Sequence, residues 1–210
     1  MCAAPIFDEH DTPRARALIR RHPLATLAVA TAGGAVETAH APCLLDDEGP
    51  SPGSLRFHLA SGHPLMGALG AGVELVAIFR GPDGYVSPAW YRDPSNHVPT
   101  WNYAIARVRG HAAPMSARAD LVRLLADLSR EHEGASPGWT LAGMNATLRD
   151  ELVGEITGVR VRIDSVHATF KLSQNREAAD AERVRAALER RGRDADREMV
   201  ALMTPRPHPE

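Results

Sequence analysis

The sequence predicts an α+β fold, a small β-barrel with helices appended to it. Short apolar runs joined by turn-forming residues fill the first half of the chain, and amphipathic helical patterns follow from residue 117. No internal repeat recurs, so a barrel closed once around its own core fits better than a repeat array.

The elements follow in order. Asp11-Thr12-Pro13 reads as a helix start, with a capping side chain ahead of Pro in the first turn. His22-Pro23 ends that helix, because a residue before Pro avoids the helical region. LATLAVA (24–30) is apolar enough for a buried strand, and Gly33-Gly34 supplies a hairpin turn. VETAHAPCLL (36–45) returns, its Pro42 favouring an edge or a bulge. The turn-rich DDEGPSPGS leads into the strand LRFHLA (55–60). HPLMGAL (63–69) suits one or two helical turns, VELVAIFR (73–80) another core strand, and 98–113 a long strand.

In 117–132, Leu121, Leu124, Leu125 and Leu128 recur at helical spacing, and Gly134 to Gly138 breaks the pattern. Residues 140–152 carry a weaker helical pattern, and 156–171 alternate like a strand. Residues 177–191 are helical, with Ala181, Val184 and Leu188 on the inner face. One domain over 1–192 with peripheral helices is expected, followed by a helical or flexible tail over 193–210. Its end, MTPRPHPE, is expected to be flexible, with three prolines in the last six residues.

Composition narrows the function classes. The 210 residues are 44% hydrophobic and 24% charged with a net charge of −2, so nothing global attracts nucleic acid or an anionic membrane. Two cysteines, Cys2 and Cys43, make no disulfide framework. The start MCAAPIFDEHD lacks the basic and apolar regions of a signal peptide, and no run reaches the length of a membrane span. A cytoplasmic protein is the expectation. No dinucleotide or P-loop glycine motif, no CxxC, no HExxH and no GxSxG is present. His58 and His63 have no nearby thiol or carboxylate to complete a metal site, so none is expected.

One segment stands apart. Residues 79–103, FRGPDGYVSPAWYRDPSNHVPTWNY, hold five of the six Trp and Tyr residues: Tyr85, Trp90, Tyr91, Trp101 and Tyr103. Pro82, Pro88, Pro94 and Pro99 stiffen the same stretch. A platform for a flat ligand, a dimer interface, or an apolar minicore over a barrel end all fit.

YVSPAWY (85–91), VPTWNYAIARVRG (98–110) and FKLSQNR (170–176) resemble the PaiB family, the FMN-binding negative transcriptional regulators. The resemblance runs from about Ile6 to about Arg191. It implies a split β-barrel of the flavin-reductase and pyridoxamine-phosphate-oxidase kind, dimeric, with FMN at the subunit interface.

Four groups of residues are candidates for that cofactor. HLASGHP (58–64) places His58, Ala60, Ser61 and His63 where a strand meets a helical turn, a setting for open N–H groups and a phosphate; a capped connection fits too. The family pattern carries Arg and Asn where this chain has Ser61 and His63, which removes a fixed positive charge. His40 shares a strand face with Thr38. A lone strand histidine reads as a core residue, but the resemblance puts the backbone of Thr38, Ala39 and His40 along the flavin edge. In KLSQN (171–175), Lys171 offers a charge to phosphate, and Gln174 and Asn175 offer amides to the uracil-like edge. Ser173 or Asn175 ahead of Glu177 also fits a helix cap. Trp101 and Asn102 lie on a strand with a bulky face (Trp101, Tyr103, Ile105) and a small one (Asn102, Ala104, Ala106), the latter open to a planar ligand.

Three functions compete: an FMN-binding homodimer of the regulator type, an FMN-dependent oxidoreductase, and a cofactor-free dimeric module. No catalytic acid or base is evident. Direct DNA binding is doubtful, because the most basic stretch, 183–197, is interleaved with Glu182, Glu189, Asp194 and Asp196, as on a solvated helix face.

Overall fold

The structure is a computed structural model that describes residues 5–47, 52–70, 72–134 and 138–203. Its strands form one sheet of order β3-β2-β6-β7-β8-β5-β4, with β1 (Asp8–His10) beside β8 (Ile156–Lys171). β2 (Leu24–Ala30) pairs antiparallel with β3 (Val36–Pro42) and β6 (Val73–Val86). β5 (Ser54–Ala60) pairs antiparallel with β4 (Leu44–Asp46) and β8. β7 (Thr100–Pro114) lies between β6 and β8. The chain divides into two compact units, one of residues 1–18, 80–106 and 167–210, the other of 19–79 and 107–166.

The second unit holds the β2–β3 hairpin. Ala25, Leu27 and Val29 alternate into its core at 0–1% exposure, a period of two within a run that reads as a strand from its apolar content. Pro42 ends β3, as an edge-strand proline can. Helices α3 (Arg118–Glu133) and α4 (Ala146–Gly154) cover part of the sheet. Leu121, Leu124 and Leu128 of α3 and Val153 of α4 form an apolar cluster there. The heptad-like spacing of the α3 leucines is what lets one face reach it. Arg56 of β5 crosses to Asp46 and to Asp127 of α3, at 2.6 Å and 2.9 Å. Gly110 permits close strand contact, since a Cβ there would lie 2.2 Å from the Arg162 carbonyl oxygen. Cys43 is a free buried thiol whose pKa burial pushes up to about 12.

The first unit contains β1, most of α1 (Pro13–Arg21), the ends of β6, β7 and β8, and helices α5 (Ala178–Arg191) and α6 (Asp194–Met203). Val184, Ala187 and Leu188 of α5 and Met199 of α6 are buried. Ala181, expected inside, is only half-buried. Gly192 ends α5 in the left-handed conformation at φ 71°, a backbone state glycine adopts without penalty. The expected boundary at 192 therefore falls on a helix cap, and 194–203 of the tail are helical. The expected flexibility of 204–210 and the loop turns at 48–51 and 135–137 lie outside the described residues.

The proline-rich aromatic loop is built from two short 3-10 turns, Pro88–Trp90 and Pro94–Asn96. Each starts on a proline, and the side chains of Ser87 and Asp93 cap them. Among the described residues, no helix is long and apolar enough to cross a membrane.

Candidate functional site

In the second unit, β5 ends at Ala60 and the turn Ser61–His63 enters α2 (Pro64–Ala68). The Ser61 N–H donates to Glu155 O and the His63 N–H to Ala60 O, both at 2.9 Å. The first N–H of α2, that of Leu65, donates to His63 Nδ1 at 3.1 Å. Pro64 has no N–H, and α2 is only five residues long. This corrects the expectation of a helix end rich in open amides: the capped connection was the better half of that reading. What remains open is specific. The Gly62 N–H has no partner among the described residues, and a Cβ on Gly62 would meet nothing within 4 Å. Ser61 Oγ shares a hydrogen bond with Thr157 Oγ1 at 2.9 Å. Because His63 Nδ1 accepts, the neutral ring carries its proton on Nε2, a further donor.

Two observations link this turn to β3. Helix α2 packs against β3, and β3 ends the sheet, so one of its edges carries no strand among the described residues. Thr38 and His40 lie on its exposed face, with His40 Nδ1 3.2 Å from Thr26 Oγ1, while Ala39 is buried. His40 is therefore a surface residue, which corrects its reading as a core histidine. On β5, His58 Nδ1 is buried with no hydrogen-bond partner. Burial holds its pKa below the ordinary histidine value, so the ring is neutral.

The candidates of the first unit are already committed within it. Gln174 Nε2 donates to Phe170 O, and its Oε1 accepts the Leu172 N–H at 2.6 Å. Asn102 is 1% exposed and exchanges hydrogen bonds with Ser173 Oγ at 3.0 Å and 3.1 Å. Ser173 has φ 65°, rare for a residue with a side chain, and this double bond to Asn102 holds it there. Lys171 Nζ donates to Thr100 Oγ1, and burial, followed by the charge of Arg176, lowers its pKa. Asn175 is exposed. The amides of Gln174 and Asn102 thus close the KLSQN turn from within the unit. The face of β7 expected to admit a flat ligand is also the covered one: Ala104 and Ala106 are 0% exposed, whereas Trp101 is 50% exposed. Trp101 meets Tyr85 edge-to-face at 6.0 Å.

Two contributors escaped the sequence reading, Thr157 and Arg176. Thr157 becomes visible only when the 60–63 turn is seen against the start of β8. Arg176 closes the quoted FKLSQNR motif, and its guanidinium lies 5.0 Å from the Tyr91 ring centroid with Nη1 3.3 Å from His97 Nδ1.

Residues 1–165 match the family model described as "Putative FMN-binding domain". The chain belongs to this family. Within the FMN-binding domain family it is 28% identical over 148 residues to the Bacillus subtilis protein "Protease synthase and sporulation protein PAI 2", covering 70% of each chain. An uncharacterized Aspergillus fumigatus protein is 29% identical over 89% of this chain and 90% of its own. Among solved structures, the FAD and heme binding protein of Mycobacterium smegmatis superposes with a TM-score of 0.61 at 20% identity, over 84% of this chain and 78% of that one. The flavocytochrome Anf3 of Azotobacter vinelandii gives 0.57 at 16% identity, over 79% and 69%. The fold is the split β-barrel expected from the motifs. KLSQN lies beyond the matched residues, whereas the 58–64 turn lies within them.

Proposed function

We propose that this FMN-binding family member is a homodimer that holds FMN with its phosphate at the Ser61–His63 turn and its ring edge along β3. The observation that carries this is a set of polar groups in the second unit with hydrogen-bonding capacity left over. The Gly62 N–H, the Ser61 hydroxyl and His63 Nε2 suit a phosphate. The buried, unpartnered Nδ1 of His58 is a group that native structures rarely leave unpaired, and a ligand atom would satisfy it. The open edge of β3 from Thr38 to His40 suits the hydrogen-bonding rim of an isoalloxazine. Bound flavin would supply reversible electron transfer, and these residues would bind and orient it. Added FMN is expected to lose fluorescence on binding and to raise the melting temperature. If saturating FMN does neither, the cofactor reading fails.

The dimer part of the reading rests on an exposed apolar patch. Tyr85, Val98 and Trp101 are 38%, 68% and 50% exposed in the first unit, more than single scattered apolar residues require. A stable interface there should bury at least about 1,000 Å² in total. Sedimentation at micromolar concentration should show a dimer, and Trp101→Glu should shift it to monomer; a wild-type monomer would contradict the proposal.

A regulatory role of the kind the resemblance implies would act without direct reading of DNA. In the basic stretch 183–197, Arg185 pairs with Glu182 and Glu189, Arg191 and Arg193 pair with Asp196, and Arg197 pairs with Asp194. Few charges are left to displace counterions. Mobility-shift titration with random duplex should show only weak binding at physiological salt; tight, steeply salt-dependent binding would make the role direct.

A further inference from the structure

One groove of the first unit has a volume of about 1130 Å³, somewhat above the usual range for small-molecule sites. Ten of its fifteen lining residues come from 172–203, beyond the part of the chain that matches the FMN-binding family. None of its lining residues belongs to the turn or strand assigned to FMN above. About half of its lining is apolar, with Ile6, Leu172, Leu202 and Met203 among the walls.

Charge decides what such a groove would hold. Three arginines and two glutamates line it. Arg14 pairs with Glu9 and Arg185 with Glu182, which cancels two of the cations. The polar groups of Thr12 and Gln174 are likewise spent inside the protein, on Glu9, Phe170 and Leu172. Arg176 is left. Among the described residues it has no carboxylate partner; it faces the Tyr91 ring and His97 Nδ1, neither of which carries a compensating negative charge. Tyr91 and His97, which touch its guanidinium, are not themselves part of the groove's lining, whereas Arg176 is. Arg176 also borders a smaller pocket with Asp93, Glu177 and Asp180, but none of these carboxylates forms an ion pair with it, so its guanidinium remains complementary to one anionic head on an apolar body.

We infer that this groove binds a monoanionic amphiphile, a medium-chain carboxylate being the simplest form, with Arg176 taking the head group. The site is additional to the flavin site and its occupancy does not depend on FMN.

The test uses the full chain with sodium octanoate and, as an uncharged match of equal length, octanamide, each titrated by calorimetry with and without FMN. Octanoate should bind with a Kd below about 1 mM and octanamide at least about tenfold more weakly. Arg176→Gln should bring octanoate down to the octanamide level. Because that change also removes the Tyr91 and His97 contacts, Ala181→Trp serves as a second variant: it fills the groove without touching Arg176 and should abolish binding of both compounds. FMN binding should be unchanged in each variant. Equal binding of the two compounds, no binding of either, wild-type octanoate affinity in Arg176→Gln, or displacement of octanoate by saturating FMN would each overturn the inference. If FMN itself fails to bind while octanoate behaves as described, the flavin reading falls and this one stands.

Discussion

Replacing Asp196 by Ala is expected to destabilise the first unit by about 3–5 kcal/mol at neutral pH, measured by chemical denaturation. Asp196 is 0% exposed, yet it is charged, and every part of its carboxylate is used. Arg191 approaches both oxygens, at 2.6 Å and 2.8 Å, and the Arg193 side chain adds bonds at 3.0 Å and 3.1 Å. The Arg193 backbone N–H donates to it as well, at 3.2 Å, which caps the start of α6. Arg191 also donates to Tyr85 O, so one carboxylate ties α6, the end of α5 and β6 together. Removing it leaves the guanidinium of Arg191 half-buried without its counter-charge, the costly way to break a buried pair. A change below about 1 kcal/mol would show that the helices are held by Met199 and Leu188 alone.

The same residue sets a pH dependence. The Arg191 hydrogen bond first, then those of Arg193, holds the Asp196 carboxyl well below the ordinary carboxylate range. A pKa lowered on folding gives stability that is present above the unfolded value, near 4, and is lost as pH falls toward the folded value. The stability gap between wild type and Asp196→Asn should therefore be full at pH 7 and shrink below about pH 4. A gap independent of pH would remove the ion pairs from the account.

Riboflavin should bind at least about tenfold more weakly than FMN, because it lacks the phosphate that the Ser61–His63 turn would hold. Charge-assisted hydrogen bonds contribute about 1.5–3 kcal/mol each, so even one such bond makes a tenfold difference. Ser61→Ala should weaken FMN several-fold and leave riboflavin unchanged, since only the phosphate would meet that hydroxyl. Thr157 would keep its place by bonding water, which limits the structural cost. Lys171→Ala, by contrast, should affect both flavins alike, given that its ammonium is tied to Thr100. Equal affinity for FMN and riboflavin would move the phosphate away from this turn.

The sequence by itself determined most strands and helices, the fold and the family, but not β1, the break between β3 and β4, or the extension of β6 to Val86. An apolar run before a Gly-Gly turn placed β2 at Leu24–Ala30, and leucine spacing placed α3 at Arg118–Glu133, with little error, because burial of a face leaves its mark on composition and period. The motifs around Trp101 and Lys171, through their resemblance to the PaiB family, implied the split barrel. Only the tertiary structure decided which face each element turns inward and which polar groups are already used. Period two assigns Trp101 and Asn102 to opposite faces of β7, but it does not say that the alanine face is the covered one. Gln174 and Asn102 carry amides suited equally to a flavin and to a backbone turn, and the choice depends on distances to Phe170, Leu172 and Ser173. Asp196 sits in a run of charges that reads as a solvated helix face. It is buried because two arginines, one of them on the neighbouring helix, converge on it. A side chain's hydrogen-bonding capacity is local and is written in the sequence; its partners are set by the folding of distant segments, and that decides whether it is free for a ligand.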